Sequence, residues 1–309
     1  MKTIRTGLVL ILNALCMLMA QNAQAESTKG IYLTQYTLEN TNFLNSLVKN
    51  AKDAGVNTFV IDMDKPTKKY KENIKIVLDN HINYVARITM FPGGGTPQQI
   101  DDTAGWQKKY NLVQSALDLG ASGIQLDYIR YNTKQKPSAE NAKKIHGIID
   151  WFKTKLAKEK VPLQIDVFGI ASFGEAKYIG QNIKLFSQSV DVVCPMVYPS
   201  HYTPFPKHFR EPYQTVYESL RRIQDQFEEN QAMPVKMVAY IELSNYHYPM
   251  THQKTLSYIK AQVKAVEDAK ADGFYAWSPH NRYDNLFYVL KNGKAVTDHP
   301  DQINKEIDD

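Results

Sequence analysis

Cysteine is almost absent from this chain. Its 309 residues hold two, Cys16 and Cys194, and Cys16 lies in a segment that reads as a removable leader. Cys194 is then alone, which excludes an internal disulfide and leaves stability to a buried core. Charge of one sign is lacking too. The formal net charge is +5, and it falls to +3 when Lys2 and Arg5 leave with the leader. So mild a balance gives no argument for a nucleic-acid partner. Beyond the leader no run reaches the roughly 18 apolar residues of a membrane span, so no stable membrane insertion is expected after cleavage. The histidines show no His-x-His or His-x-x-x-His spacing, and no metal site is expected. Gly93-Gly-Gly95 is not followed by Gly-Lys-Ser/Thr, so it is no phosphate loop, and no cofactor is expected.

What is present begins with that leader. Met1-Lys-Thr-Ile-Arg5 is basic, Gly7 to Ala20 is apolar, and Ala23-Gln-Ala25 is a small-x-small cleavage site. Residues 1–25 are expected to be a signal peptide, which implies a periplasmic or secreted protein starting at Glu26. Hydrophobic residues make up 43 % of the chain, enough for a sizeable core. Strand-like and helix-like segments alternate eight times. The strand candidates are Gly30–Leu38, Thr58–Asp64, Asn83–Pro92, Gly123–Tyr131, Pro162–Gly169, Val190–Pro199, Pro234–Glu242 and Gly273–His280. Helical stretches lie between them, and Gly55, Gly120 and Gly273 read as stops before the next strand. Eight such units in about 260 residues predict an α/β fold, a single (β/α)8 TIM barrel over residues 26–290. Residues 291–309 read as a polar tail.

The most telling segments are Gly123-Ile-Gln-Leu-Asp127 and Pro162-Leu-Gln-Ile-Asp166. Side chains alternate along a strand, so Ile124 and Leu126 share one face and Gln125 and Asp127 the other. The second segment repeats the pattern, with Gln164 and Asp166 facing together. Two Gln-x-Asp strands in succession predict two inward carboxyl groups on adjacent strands. In a TIM barrel the C-terminal strand ends carry function. Those ends supply Asp62 and Asp64, Arg87, Asp127, Tyr128 and Arg130, Asp166, then Tyr198, His201 and Tyr202, Glu242, and Trp277. Aromatic faces can stack on sugar rings, acids and arginines can bond hydroxyls, and a carboxyl pair can break a glycosidic bond. Each residue also has a structural alternative. Asp127 could only pair with Arg87, Asp166 could lie buried behind Phe168, and Asp62 could cap a helix. Tyr198 and His201 could only stiffen a turn, and Trp277 could plug the barrel. Cys194 reads as a small buried apolar residue.

The run Gly123-Ile-Gln-Leu-Asp-Tyr-Ile-Arg-Tyr131 resembles a strand of a bacterial family of glycoside-hydrolase-like TIM barrels, long described as a domain of unknown function. Asp166-Val-Phe-Gly169, Ile179-Gly-Gln181 and Pro195-Met-Val-Tyr-Pro-Ser-His-Tyr202 continue the likeness, as do Val60-Ile-Asp62 and Ala86-Arg-Ile88. Met63-Asp-Lys-Pro66 and the segment ending at Glu242 depart from it. The resemblance implies an exported glycosidase acting on a bacterial polysaccharide or glycan. In this reading Asp127 is the nucleophile and Asp166 the acid, with Glu242 in reserve. Asp62, Arg87, Tyr128, Arg130, Tyr198, His201, Tyr202 and Trp277 are the candidates for binding substrate. The rival readings are a non-catalytic carbohydrate-binding TIM barrel and an esterase or deacetylase. The second would want a metal cluster or a serine elbow, and the sequence shows neither.

Overall fold

The structure is a computed structural model that describes residues 27–227 and 233–293. Eight strands form one closed, all-parallel barrel: β1 Thr28–Leu33, β2 Thr58–Asp62, β3 Asn83–Thr89, β4 Gly123–Asp127, β5 Leu163–Phe168, β6 Val192–Met196, β7 Lys236–Glu242 and β8 Gly273–Trp277. β8 pairs with β1 to close it. Eight helices alternate with the strands: α1 Thr41–Asp53, α2 Lys68–Asp79, α3 Thr103–Asp118, α4 Ala139–Leu156, the single turn α5 Ile183–Phe186, α6 Pro212–Gln224, α7 His252–Asp268 and α8 Asp284–Asn292. This is the expected (β/α)8 TIM barrel. The expected leader, residues 1–25, and residues 294–309 of the expected tail lie outside the described residues.

The helices form where apolar residues recur at three- and four-residue steps. In α7, Leu256, Ile259, Val263 and Val266 are all buried. Thr67 and Thr251 cap α2 and α7, each hydroxyl accepting an N–H from the first turn. The outward strand residues, Ile124, Leu126, Leu163 and Ile165 among them, join these helical stripes in the larger apolar core.

The sequence reading ran most strands too far at their C-terminal ends. β4, for example, stops at Asp127 rather than Tyr131. The reason is local. Tyr128 takes the left-handed conformation (φ 51°) and turns the chain out of the sheet. After β6, Pro199 brings no N–H to extend the ladder and opens a tight helical turn instead. One glycine assignment is also corrected. α7 ends at Asp268, Lys270 makes the left-handed turn (φ 56°), and Gly273 opens β8 instead of stopping the helix.

Inside the barrel a smaller core holds Tyr32, Val60, Val85, Val192, Cys194, Val238, Tyr240 and Tyr275. The register sets its layers. Gln125 lies opposite Gln164, Asp166 opposite Cys194, and Tyr240 opposite Tyr275. Gln125 and Gln164 both point inward. Tyr240 donates to Gln125 at 2.8 Å and Tyr275 donates to Gln164 at 3.0 Å. On β1 no side chain fits at Gly30. A Cβ on Gly30 would lie 2.4 Å from the Tyr275 ring. Gly30→Ala is therefore expected to destabilise the barrel by about 1–3 kcal/mol through overpacking. Urea unfolding at fixed pH checks this, and an unchanged midpoint would show that the Tyr275 ring can move aside.

Candidate active site

The two Gln-x-Asp strands do what their alternation requires. Asp127 and Asp166 stand one layer above the paired glutamines, on adjacent strands, at the C-terminal mouth. From β3, Arg87 reaches across to them. Its Nη2 and Nε bond Asp127 Oδ2, the latter at 3.0 Å, and its Nη1 bonds Asp62 Oδ1. The Tyr32 hydroxyl donates to the other oxygen of Asp62, and the Arg87 guanidinium lies 5.2 Å from the centroid of the Tyr32 ring. Because Tyr128 turns back at the strand end, its own N–H donates to Asp127 Oδ1. Asp127 thus accepts from three N–H groups, the bonding pattern of an anion.

Asp166 is bonded differently. It is 1 % exposed, and among the described residues its Oδ1 has no hydrogen-bond partner. Arg87 Nε stands 3.9 Å from its Oδ2, beyond hydrogen-bond reach. Burial, followed by the charge of Asp127, raises the Asp166 carboxyl well above the usual range, and Arg87 only partly opposes this. One nitrogen lies 3.0 Å from Asp127 Oδ2 and 3.9 Å from Asp166 Oδ2. These two oxygens are therefore separated by no more than the sum of those distances.

The pair opens into a cavity of about 140 Å³. Of the residues expected at the mouth, Arg87, Tyr128, Tyr198, His201 and Trp277 line it with the two acids. Tyr198 stacks on Trp277 (ring centroids 5.5 Å), His201 stacks on Tyr246 (5.7 Å), and Tyr246 leans on Trp277 (5.9 Å), so four rings make one wall. A second cavity of about 590 Å³ adjoins it, sharing Phe168 and His201, and Tyr202 lines that one. Gly169 makes room there, since a Cβ on it would lie 2.2 Å from the Tyr202 hydroxyl.

Three expected residues line neither cavity. Asp62 sits behind Arg87. Arg130 is buried, donates to the Tyr131 carbonyl at 2.8 Å and lies over the Phe168 ring at 4.6 Å, stiffening a cavity wall rather than facing a ligand. Glu242, held in reserve as a catalytic acid, is 0 % exposed. It accepts from the Ser200 hydroxyl, the Ser200 N–H (2.9 Å) and the Tyr258 hydroxyl (2.6 Å). It anchors the turn that presents Tyr198 and His201. Sequence reasoning passed over Tyr32, Met196 and Tyr246 at the first cavity, and Phe173, Phe205, His208 and His247 at the second. Tyr32 and Met196 carried a signal, as residues at strand ends. The others sit in long loops and had none. Among the described residues, no three His, Cys, Asp or Glu side chains are grouped as a metal would require.

Burial raises the Glu242 carboxyl to about 7 from the ordinary 4.5, its three donors opposing the shift. The folded chain then keeps this proton at pH values where the unfolded chain has lost it. Its contribution is fully present below about pH 4.5 and is lost as pH rises towards 7. Relative to Glu242→Gln, the wild type should lose on the order of 3 kcal/mol across that window. Urea unfolding of both proteins at several pH values measures it. Parallel curves would remove Glu242 from the pH response.

Two of three comparisons with known proteins find a likeness. Residues 98–283, more than half of the chain, match the family described as "Putative glycosyl hydrolase domain". A search of curated proteins finds no match. Solved structures resemble the fold. They include the endo-beta-1,4-mannanase from Thermotoga petrophila, 10 % identical with a TM-score of 0.64, covering 90 % of this chain and 79 % of that one. A class V chitinase from Pseudomonas fluorescens is 13 % identical with a TM-score of 0.61, covering 87 % and 99 %. The spore cortex-lytic enzyme from Bacillus cereus is 13 % identical with a TM-score of 0.61, covering 86 % and 74 %. At such identities the likeness is one of fold. The matched span runs from the loop after β3 through β8, so it includes Asp127 and Asp166 and leaves Asp62 and Arg87 outside. On that match the chain belongs to this glycosyl hydrolase domain family.

Proposed function

We propose that the protein hydrolyses glycosidic bonds in a bacterial polysaccharide or glycan, with Asp127 as nucleophile and Asp166 as general acid. Family membership supports a glycosidase. The observation that carries the roles is geometric: Asp127 is held by Arg87, Asp166 is buried with an unpartnered Oδ1 and so is pushed towards its protonated form, and both line one cavity. Environments that drive two acids apart in this way mark an acid and its ionised partner. The free Oδ1 of Asp166 is able to deliver a proton to the leaving oxygen. Asp127 then faces the positive charge that develops at the sugar carbon. The limit on the distance between Asp127 Oδ2 and Asp166 Oδ2 includes the ~5–5.5 Å of a retaining enzyme, and retention is part of this proposal. The wall of Tyr198, Trp277 and Tyr246 offers the ring faces on which a pyranose stacks.

Asp127→Asn is expected to lower hydrolysis by at least ~10²–10⁴-fold. Asp166→Asn should hurt most on substrates with poor leaving groups, which need the proton. Activity should fall as pH rises through the raised Asp166 value, because the acid is then lost. Stability is the control. Removing one partner of a buried ion pair typically costs ~3–5 kcal/mol, but Asp62 still holds Arg87, so Asp127→Asn should cost clearly less. Full activity in Asp127→Asn would overturn the assignment. Binding of glycans by a wild type that cleaves none would favour the non-catalytic barrel.

We also propose that the protein is exported and loses residues 1–25, on the strength of the basic, apolar and Ala-x-Ala order of that segment. N-terminal sequencing of protein from the periplasm or medium should begin at Glu26. A chain still starting at Met1 in the membrane fraction would contradict it.

A further inference from the structure

The carboxyl pair accounts for the smaller cavity and leaves the larger one without a role. That cavity of about 590 Å³ lies beside the first and shares two lining residues with it, Phe168 and His201. Loops after β5, β6 and β7 build it, and rings dominate its walls. Phe205 stacks on His247 with centroids 3.9 Å apart, Phe173 meets Tyr202 at 6.2 Å, and Tyr202 meets His208 at 5.5 Å. Ser200, Thr203 and Tyr178 also line it, the Ser200 hydroxyl being bonded to Glu242.

Its charge differs from that of the first cavity. Among the described residues that line it there is no Asp, Glu, Lys or Arg. Burial lowers the His201 and His208 imidazoles from their usual range, with His247 adding to the effect at His201. Both rings are thereby pushed towards the neutral form. Arg222 lies over Phe173 at 5.1 Å, on the exposed side of the loop, and does not line the cavity. The rim is apolar and open. Phe173 is 61 % exposed and Ile170 46 %, on the same loop, and Tyr246, 61 % exposed, stands across His201 from them. Large apolar groups clustered in water beside a pocket are the mark of a binding surface.

We propose that the larger cavity is a second carbohydrate subsite, which holds uncharged sugar units of the same chain whose bond lies at the Asp127–Asp166 pair. This rests on the glycosidase reading and deepens it. The shared Phe168 and His201 mark the place where, in this proposal, one linear molecule passes from one cavity to the other. The C–H faces of pyranose rings pack on Phe173 and Phe205, and ring hydroxyls meet the imidazoles and side-chain hydroxyls. A uronate would find no cation among the lining residues and would lose hydration without a partner. The substrate is thus an oligomer or polymer of neutral sugars, and affinity must grow with chain length beyond the unit held by the acids.

The test uses the full chain in an Asp127→Asn background, so that ligands survive. Calorimetric titration with manno-, chito- and galacturono-oligosaccharides of two to six units reads the length dependence. For one neutral series, affinity should rise about ten-fold or more from dimer to tetramer. Adding Phe173→Ala should abolish that gain. Tyr288→Ala, an exposed aromatic on α8 away from the mouth, should leave it intact. Affinity that stops growing at the dimer, a gain unaffected by Phe173→Ala, tighter binding of the galacturonates, or no binding of either neutral series would each overturn the subsite. Wild-type cleavage of the same oligosaccharides is followed in parallel. Cleavage without a length gain sinks this inference alone. A Phe173-dependent length gain without cleavage sinks the glycosidase reading and leaves the subsite standing.

Discussion

One guanidinium organises the mouth of this barrel. The Arg87 side chain is only 13 % exposed, and a cation so far withdrawn from water needs anions close at hand. Asp62 and Asp127 supply them from the strands on either side, with Tyr32 completing the shell around Asp62. Two carboxylates already exceed the single positive charge. A third ionised acid at 3.9 Å from Arg87 would add repulsion in a space that water barely enters. Burial and this excess of negative charge push the most buried carboxyl of the three, Asp166, towards its protonated form. The proposed division of labour between Asp127 and Asp166 follows from this imbalance of charge around one arginine.

The cluster needs a floor that is polar without being charged. Gln125, Gln164, Cys194, Tyr240 and Tyr275 provide it, linked to one another by hydrogen bonds across the barrel interior. Their amides and hydroxyls satisfy each other, so the acids above rest on a rigid layer that competes for none of their oxygens. Burial of Cys194 among them raises its thiol well above the ordinary range, in keeping with a packing role. The ring wall is anchored in a comparable way. Glu242 ties down Ser200 from behind, and His247 meets the Ser200 carbonyl at 3.1 Å. The loop carrying Tyr198 and His201 is thereby clamped from two sides.

Much of this was legible in the residues. Eight alternations of strand and helix specified the barrel, and period-two alternation put Gln125, Asp127, Gln164 and Asp166 on the inner face. Strand ends were harder to read. Residues such as Tyr128 and Val197 have strand propensity but sit where the backbone turns out to build the mouth, so propensity ran past the true limits. Glu242 shows the complementary difficulty. An acid at a strand end looks available for chemistry until its depth is known, and three donors at short range make it a structural anchor instead.

The sequence by itself determined the class of fold, the pairing of two acids on neighbouring strands and the collection of rings at one end. These depend on local periodicity, which neighbouring residues carry among themselves. Only the tertiary structure decided which acid is pushed towards its protonated form, which residues reach the cavities, and that a second cavity lined by no Asp, Glu, Lys or Arg adjoins the first. Protonation depends on burial and on charges brought close from three different strands. The second cavity exists only where loops after β5, β6 and β7 meet, joining Phe173, Phe205 and His247 across long stretches of chain. Such distances are set by barrel closure and register, which no local pattern of residues encodes.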